Sequence, residues 1–244
     1  MAAVFNSQGQ YGKALELFGR ALVGYENALG VAHPETLTTV HDMALVFKRQ
    51  GQSDKALEWY GRALSGYENA LGMDHPHTLT TVHCMALVFH HQGQYGKALE
   101  WFGRALAARE HALGVDHPET LTTAHCMAAI FNSQGQYDKA LEWFGRALTA
   151  RERVLGVDHP NTLTTVHCMA VVFDHQGQDE KALEWYTQAL AGREKALGVV
   201  HPLTRATIRR LITLHENTGE TEQAHSLRTR LHVSNRPSIQ RESS

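Results

Sequence analysis

The chain has 244 residues, 43% of them hydrophobic, enough for one or two globular domains with a real core. Lys and Arg number 23 against 25 Asp and Glu, so a net charge of -2 gives no reason to expect nucleic acid or an anionic membrane as the main partner. No apolar run approaches the roughly 20 residues of a membrane span, and the opening MAAVFNSQGQ has neither a charged leader nor an apolar signal core, so a soluble cytoplasmic protein is expected.

A period governs the chain. His-Pro begins at 33, 75, 117, 159 and 201, every interval being 42. Gln-Gly begins at 8, 50, 92, 134 and 176, with Thr-Gly at 218 keeping step. Residues 11–52 and 53–94 agree at 31 of 42 positions. In chain order the period predicts a partial leading repeat over 1–32, full repeats over 33–74, 75–116, 117–158 and 159–200, a degenerate capping repeat over 201–232 and a disordered polar tail over 233–244. Met1 aligns with Met43, Met85, Met127 and Met169, so the chain is expected to start inside a first helix. In the capping repeat Ile212 replaces a small Ala, His215 a Phe and Arg228 an aromatic residue.

Within one repeat, residues 75–116, the pattern reads as two helices. Pro76 suits a first helical turn. Leu79, Val82, Met85, Ala86 and Phe89 then recur at three- and four-residue steps, until Gly93 stops the pattern. Ala98, Leu99, Phe102, Ala105 and Leu106 form a second stripe that Gly114 ends. No β-alternation occurs. A hairpin of this kind cannot bury its apolar stripe alone, so neighbours must stack on it. Ala56 and Ala63 sit where helices would approach closely, with Phe47, Phe89, Phe131 and Phe173 filling the space between. Gly61, Gly103 and Gly145 are read as further close-contact positions, since a helix-interior glycine otherwise costs about 1 kcal/mol.

The segment ALEWYGRAL at 56–64, with Ala44, Phe47, Gly51, Ala56, Tyr60 and Ala63 at their spacing, resembles the tetratricopeptide repeat. The 42-residue unit is similar to the longer kinesin-light-chain and nephrocystin type, found also in repeat arrays of NTPase immune receptors. The resemblance covers residues 1–232. It implies an all-α, right-handed superhelical solenoid of antiparallel hairpins, with first helices lining a concave groove. It also implies a non-enzymatic scaffold for a peptide or protein partner. Alternatives are a structural array that self-associates through its N-terminal repeat face, or a piece of an NTPase sensor or cargo adaptor.

The implied groove rows are His41, His83, His125, His167 and Arg209; Asp42, Cys84, Cys126, Cys168 and Arg210; Leu45, Leu87, Ala129 and Val171; Lys48, His90, Asn132 and Asp174; Arg49, His91, Ser133 and His175. Four of the five change chemistry along the array while Ala44, Ala86, Ala128 and Ala170 do not, as a read-out surface on a fixed scaffold would. The paired Lys and Asn with which some tetratricopeptide domains clamp a carboxylate terminus are missing from them.

The His/Cys density does not read as chemistry. A metal needs ligands converging at about 2.0–2.3 Å. His125 and Cys126 diverge around a helix, and their counterparts lie a helix spacing of about 10 Å away. The same spacing argues against disulfides, whose Cα atoms must lie within roughly 7 Å. A mid-helix Cys–His pair has no free oxyanion donors, and GQYGKA lacks the phosphate-loop pattern. No catalytic residue, metal or cofactor is expected. The histidines before proline read as caps or exposed residues. The His-rich middle of the groove predicts partner binding that changes between about pH 7.5 and 5.5, where unperturbed imidazoles titrate.

Overall fold

A computed structural model describes residues 1–233. Its helices are α1 (Ala2–Ser7), α2 (Tyr11–Leu29), α3 (Pro34–Arg49), α4 (Ser53–Leu71), α5 (Pro76–His91), α6 (Tyr95–Leu113), α7 (Pro118–Ser133), α8 (Tyr137–Leu155), α9 (Pro160–His175), α10 (Asp179–Leu197), α11 (Pro202–Asn217) and α12 (Thr221–Val233). Among the described residues there is no strand. First helices of 16 residues and second helices of 19 alternate from α3 to α10. The expected disorder over 234–244 lies outside the described residues, and Val233 closes α12.

Local chemistry sets the helix ends. Each His-Pro histidine turns its ring back as an N-cap: Nδ1 of His33 accepts from the Glu35 amide at 3.2 Å, and His75, His117, His159 and His201 repeat the contact two residues on. Proline follows at N1, where no donor is needed. Gly51 at φ +75° and Gly72 at φ +93° make the two kinds of turn, conformations that a Cβ would strain. The Thr78 hydroxyl donates to the Gly72 carbonyl at 2.8 Å and ties the loop to the next helix.

The chain forms two compact units, one of residues 1–130 and one beginning at Phe131. In the first, hairpins α3–α4 and α5–α6 pack face to face, with α2 on α3 and α4 on α5. Ala44, Ala56 and Ala63 are fully buried where these helices meet, and Tyr60 is sealed among Leu64, Val82, Met85 and Val88. Phe47 is half-buried, its ring 5.9 Å from Trp59. In the second unit Ala170, Ala182, Tyr186, Leu190, Ile208 and Leu211 form the corresponding core. The degenerate cap joins it: Ile212 packs there, and His215, in the phenylalanine position, bonds to Glu220 at 2.8 Å.

The close-contact glycines are not those expected. A Cβ on Gly61, Gly103 or Gly145 would meet nothing within 4 Å, because these positions lie on the rim of the second helix. The tight approach occurs at Gly66 and Gly192, where a Cβ would overlap the side chains of Leu37 and Leu163.

Candidate interaction face

The five rows fall on α3, α5, α7, α9 and α11, and their depth is graded. Arg49, His91, Ser133, His175, Arg209 and Arg210 are exposed. Asp42, Leu45, Lys48, Cys84, His90, His125, Cys126, Asn132, Cys168 and Asp174 are half-buried, and His83 is buried.

Three members of the histidine row, His41, His83 and His167, contact the following hairpin. Nδ1 of His41 lies 3.0 Å from Thr81 Oγ1, one repeat on. His83 makes the same contact to Thr123 at 3.3 Å, and His167 to Thr207 at 3.3 Å. The Thr81 and Thr207 hydroxyls already donate to the carbonyl four residues back, at 2.8 and 3.2 Å, so the imidazoles of His41 and His167 donate to them from Nδ1. The Thr123 hydroxyl likewise donates to the Glu119 carbonyl at 3.0 Å, and the Arg109 guanidinium, a donor only, also lies 3.4 Å from Nδ1 of His83. These side chains peg one hairpin to the next.

Burial holds their pKa well below the usual value of 6.5. His41 falls to about 4 through desolvation and then His77. His83 falls to about 3 through desolvation, Arg109 and Lys48, and His167 to about 3 through desolvation, Arg193 and Arg210. The expected binding switch between pH 7.5 and 5.5 is therefore corrected for these three: they stay neutral throughout that window because the charged form would be desolvated.

Sequence reading missed the arginines behind the pegs. Arg109 is 3% exposed, donates to Thr123 Oγ1 at 2.7 Å and the Glu119 carbonyl at 3.2 Å, and pairs with the Glu119 carboxylate at 3.0 Å. Arg193, 1% exposed, donates to Thr207 Oγ1 at 2.7 Å and the Leu203 carbonyl at 3.0 Å. Their signal was present: Tyr25 and Tyr67 give way to Arg109, Arg151 and Arg193 at a register otherwise surrounded by apolar residues.

Two of the thiols, Cys84 and Cys168, are poorly suited to react. Desolvation raises Cys84, against the pull of Lys48, and pushes Cys168 up to about 11. Burial likewise raises the Asp42 carboxyl, and Asp174 accepts from the Tyr186 hydroxyl at 3.1 Å. Lys48 and Arg49 line a cleft of about 620 Å³ with Leu45, Gly51, Ser53, Val88 and His91. Desolvation lowers the Lys48 ammonium.

A family profile described as tetratricopeptide repeat matches residues 1–69, 77–125 and 119–195. The chain belongs to the tetratricopeptide repeat family. Members of this family are generally non-catalytic scaffolds that mediate protein–protein interaction. No curated protein matches the chain. Among solved structures, it is similar to the nearly identical TPR-like repeats of a Podosopora anserina chain described as a kinesin light chain. That chain is 25% identical with a TM-score of 0.67, over 83% of this chain and 96% of the other. It also resembles BtubC (BKLC) from P. vanneervenii, at 18% identity, TM-score 0.73 and coverage of 100% and 97%. Aspartyl phosphate phosphatase F from Bacillus subtilis shares the tetratricopeptide fold at 15% identity, TM-score 0.72 and coverage of 97% and 69%. No described helix is long and apolar enough to cross a membrane.

Proposed function

We propose that the chain is a non-enzymatic interaction scaffold in the cytoplasm that holds a peptide or protein segment against the first-helix face of its tetratricopeptide hairpins. One contrast supports this reading. Ala44, Ala86, Ala128 and Ala170 are fully buried and unchanged. One helical turn on, at the edge of the same helices, the residues read Lys48, His90, Asn132, Asp174 and Arg49, His91, Ser133, His175. Packing fixes the first set, whereas the second varies in charge and hydrogen-bonding capacity at half-buried or exposed sites, where specificity is written. The kinesin-light-chain description of the Podosopora relative is in keeping with a cargo- or ligand-holding module of a larger adaptor or receptor.

The histidine pegs serve the scaffold, so the reading rests on the outer rows. The test is hydrogen exchange on the complex with a partner recovered by affinity capture. Protection should rise along α3, α5 and α9 and stay unchanged on the outer faces of α4, α6 and α10. Protection confined to the second helices would refute it.

A further inference from the structure

Repeats of one sequence are expected to close their junctions alike, and within each unit one junction shows how. Between α1 and α3, the Arg49 guanidinium donates to the Asn6 carbonyl at 3.3 Å. Between the end of α7 and α9, His175 Nδ1 and Asn132 Oδ1 share a hydrogen bond at 3.0 Å, and the Tyr137 ring lies 6.2 Å from the His175 ring. The corresponding pair between α3 and α5 is Lys48 and His91; among the described residues neither side chain makes a hydrogen bond or ion pair, and the His91 ring lies 5.9 Å from the neighbouring His90 ring. Position 53, at the head of α4, holds Ser where three hairpins carry Tyr11, Tyr95 and Tyr137 and the last two carry Asp179 and Thr221. Both departures leave this junction open, as the 620 Å³ cleft.

Every side-chain polar group lining the cleft is able to donate: the Lys48 ammonium, the Arg49 guanidinium, the Ser53 hydroxyl and the His91 ring. No carboxylate lines it. The nearby Asp54 accepts from Gln92 at 3.1 Å on the exposed rim. Lys48 lies on the inward stripe Leu37, His41, Ala44, Lys48 and is half-buried without a counter-ion, an arrangement that costs free energy and that an anion would relieve.

We propose that this cleft binds a phosphate monoester. Lys48 and Arg49 supply two fixed positive charges, which match a dianion and exceed what one carboxylate needs. Ser53 adds a hydroxyl donor, and the apolar walls of Leu45 and Val88 receive the carbon side of the ester. The cleft is far larger than a bare phosphate, so the group arrives on a phosphorylated side chain of a partner or on a small molecule. The site deepens the scaffold reading and rests on it for the first source, while its own test needs no partner.

Calorimetry on the whole chain tests it with three probes: inorganic phosphate, a phosphoserine tripeptide and the glutamate tripeptide of the same frame. The phosphoserine tripeptide is expected to bind, with the glutamate tripeptide at least about tenfold weaker, the size of a lost charge-assisted contact. Lys48→Gln should weaken phosphoserine binding by at least about tenfold. Ser53→Tyr, which restores the ring of the sibling repeats and keeps both cations, should abolish it. Thermal melts of both variants identify any that fails to fold, and the other then carries the test. Tighter binding of the phosphopeptide than of phosphate assigns the group to a partner's side chain, and equal binding assigns it to a small molecule. Equal binding of the glutamate tripeptide, or phosphate binding that a folded Ser53→Tyr or Lys48→Gln variant retains, overturns the proposal. First-helix protection by a partner that survives phosphatase treatment and Ser53→Tyr leaves the scaffold reading standing while this one falls. Phosphate binding without such protection does the reverse.

Discussion

Gly61 has empty space where a side chain would begin, in the middle of a 19-residue helix. Its backbone is helical and needs no glycine, so the residue only loosens α4. We expect Gly61→Ala to raise the unfolding free energy by about 0.5–1 kcal/mol in urea melts; a midpoint that stays put or falls would mean that the helix uses the gap. Gly66 behaves oppositely, because any Cβ there pushes Leu37 aside. The repeat itself tells the two apart. The first position runs Gly19, Gly61, Gly103, Gly145 and then Thr187, whereas the second stays small throughout as Gly24, Gly66, Ala108, Ala150 and Gly192. The second position admits nothing larger than a methyl group along the array, although the close approach itself occurs only at Gly66 and Gly192, so the more restricted series was the better guide.

At the scale of the helix, the pegs deserve their own titration. His41, His83 and His167 have folded pKa values below that of a free imidazole, so the folded state prefers them neutral and the unfolded chain takes up protons first. Their contribution is complete above pH 6.5 and is lost as pH falls toward 4 or 3, at up to about 1.4 kcal/mol per pH unit for each histidine. Melting temperatures measured from pH 8 to pH 4 should hold level and then drop below about 6.5. In His83→Gln the drop should be shallower by one histidine's share, and an identical slope would clear His83 of the role. The helices and their caps were legible because apolar spacing and His-Pro are local signals. The inward turn of the histidines was legible too: Leu37, Val40, His41 and Ala44 share one stripe, and residues on a buried stripe are buried whatever their polarity. The Thr81 and Arg109 partners were not, since each belongs to a different helix and only packing brings them together. The same holds for the cleft, where the substitutions at 48, 53 and 91 gain meaning once they are neighbours.

At the scale of the whole molecule, the histidine on one hairpin and the threonine on the next recur at the same interval within each of the two units. His41 reaches Thr81, and His83 reaches Thr123. Excising residues 53–94 joins Gln52 to Tyr95, offers Thr123 to His41 and sets Trp101 against Phe47. We expect that shortened protein to keep a helical circular dichroism spectrum and a cooperative transition at reduced temperature; a random-coil spectrum would show that neighbouring hairpins are not interchangeable. If they are, the number of rungs is a heritable quantity free to change by recombination in whole steps, and each rung travels with the chemistry it displays. Span and specificity then evolve as separate variables, and a lineage can lengthen its reach without rewriting a single joint.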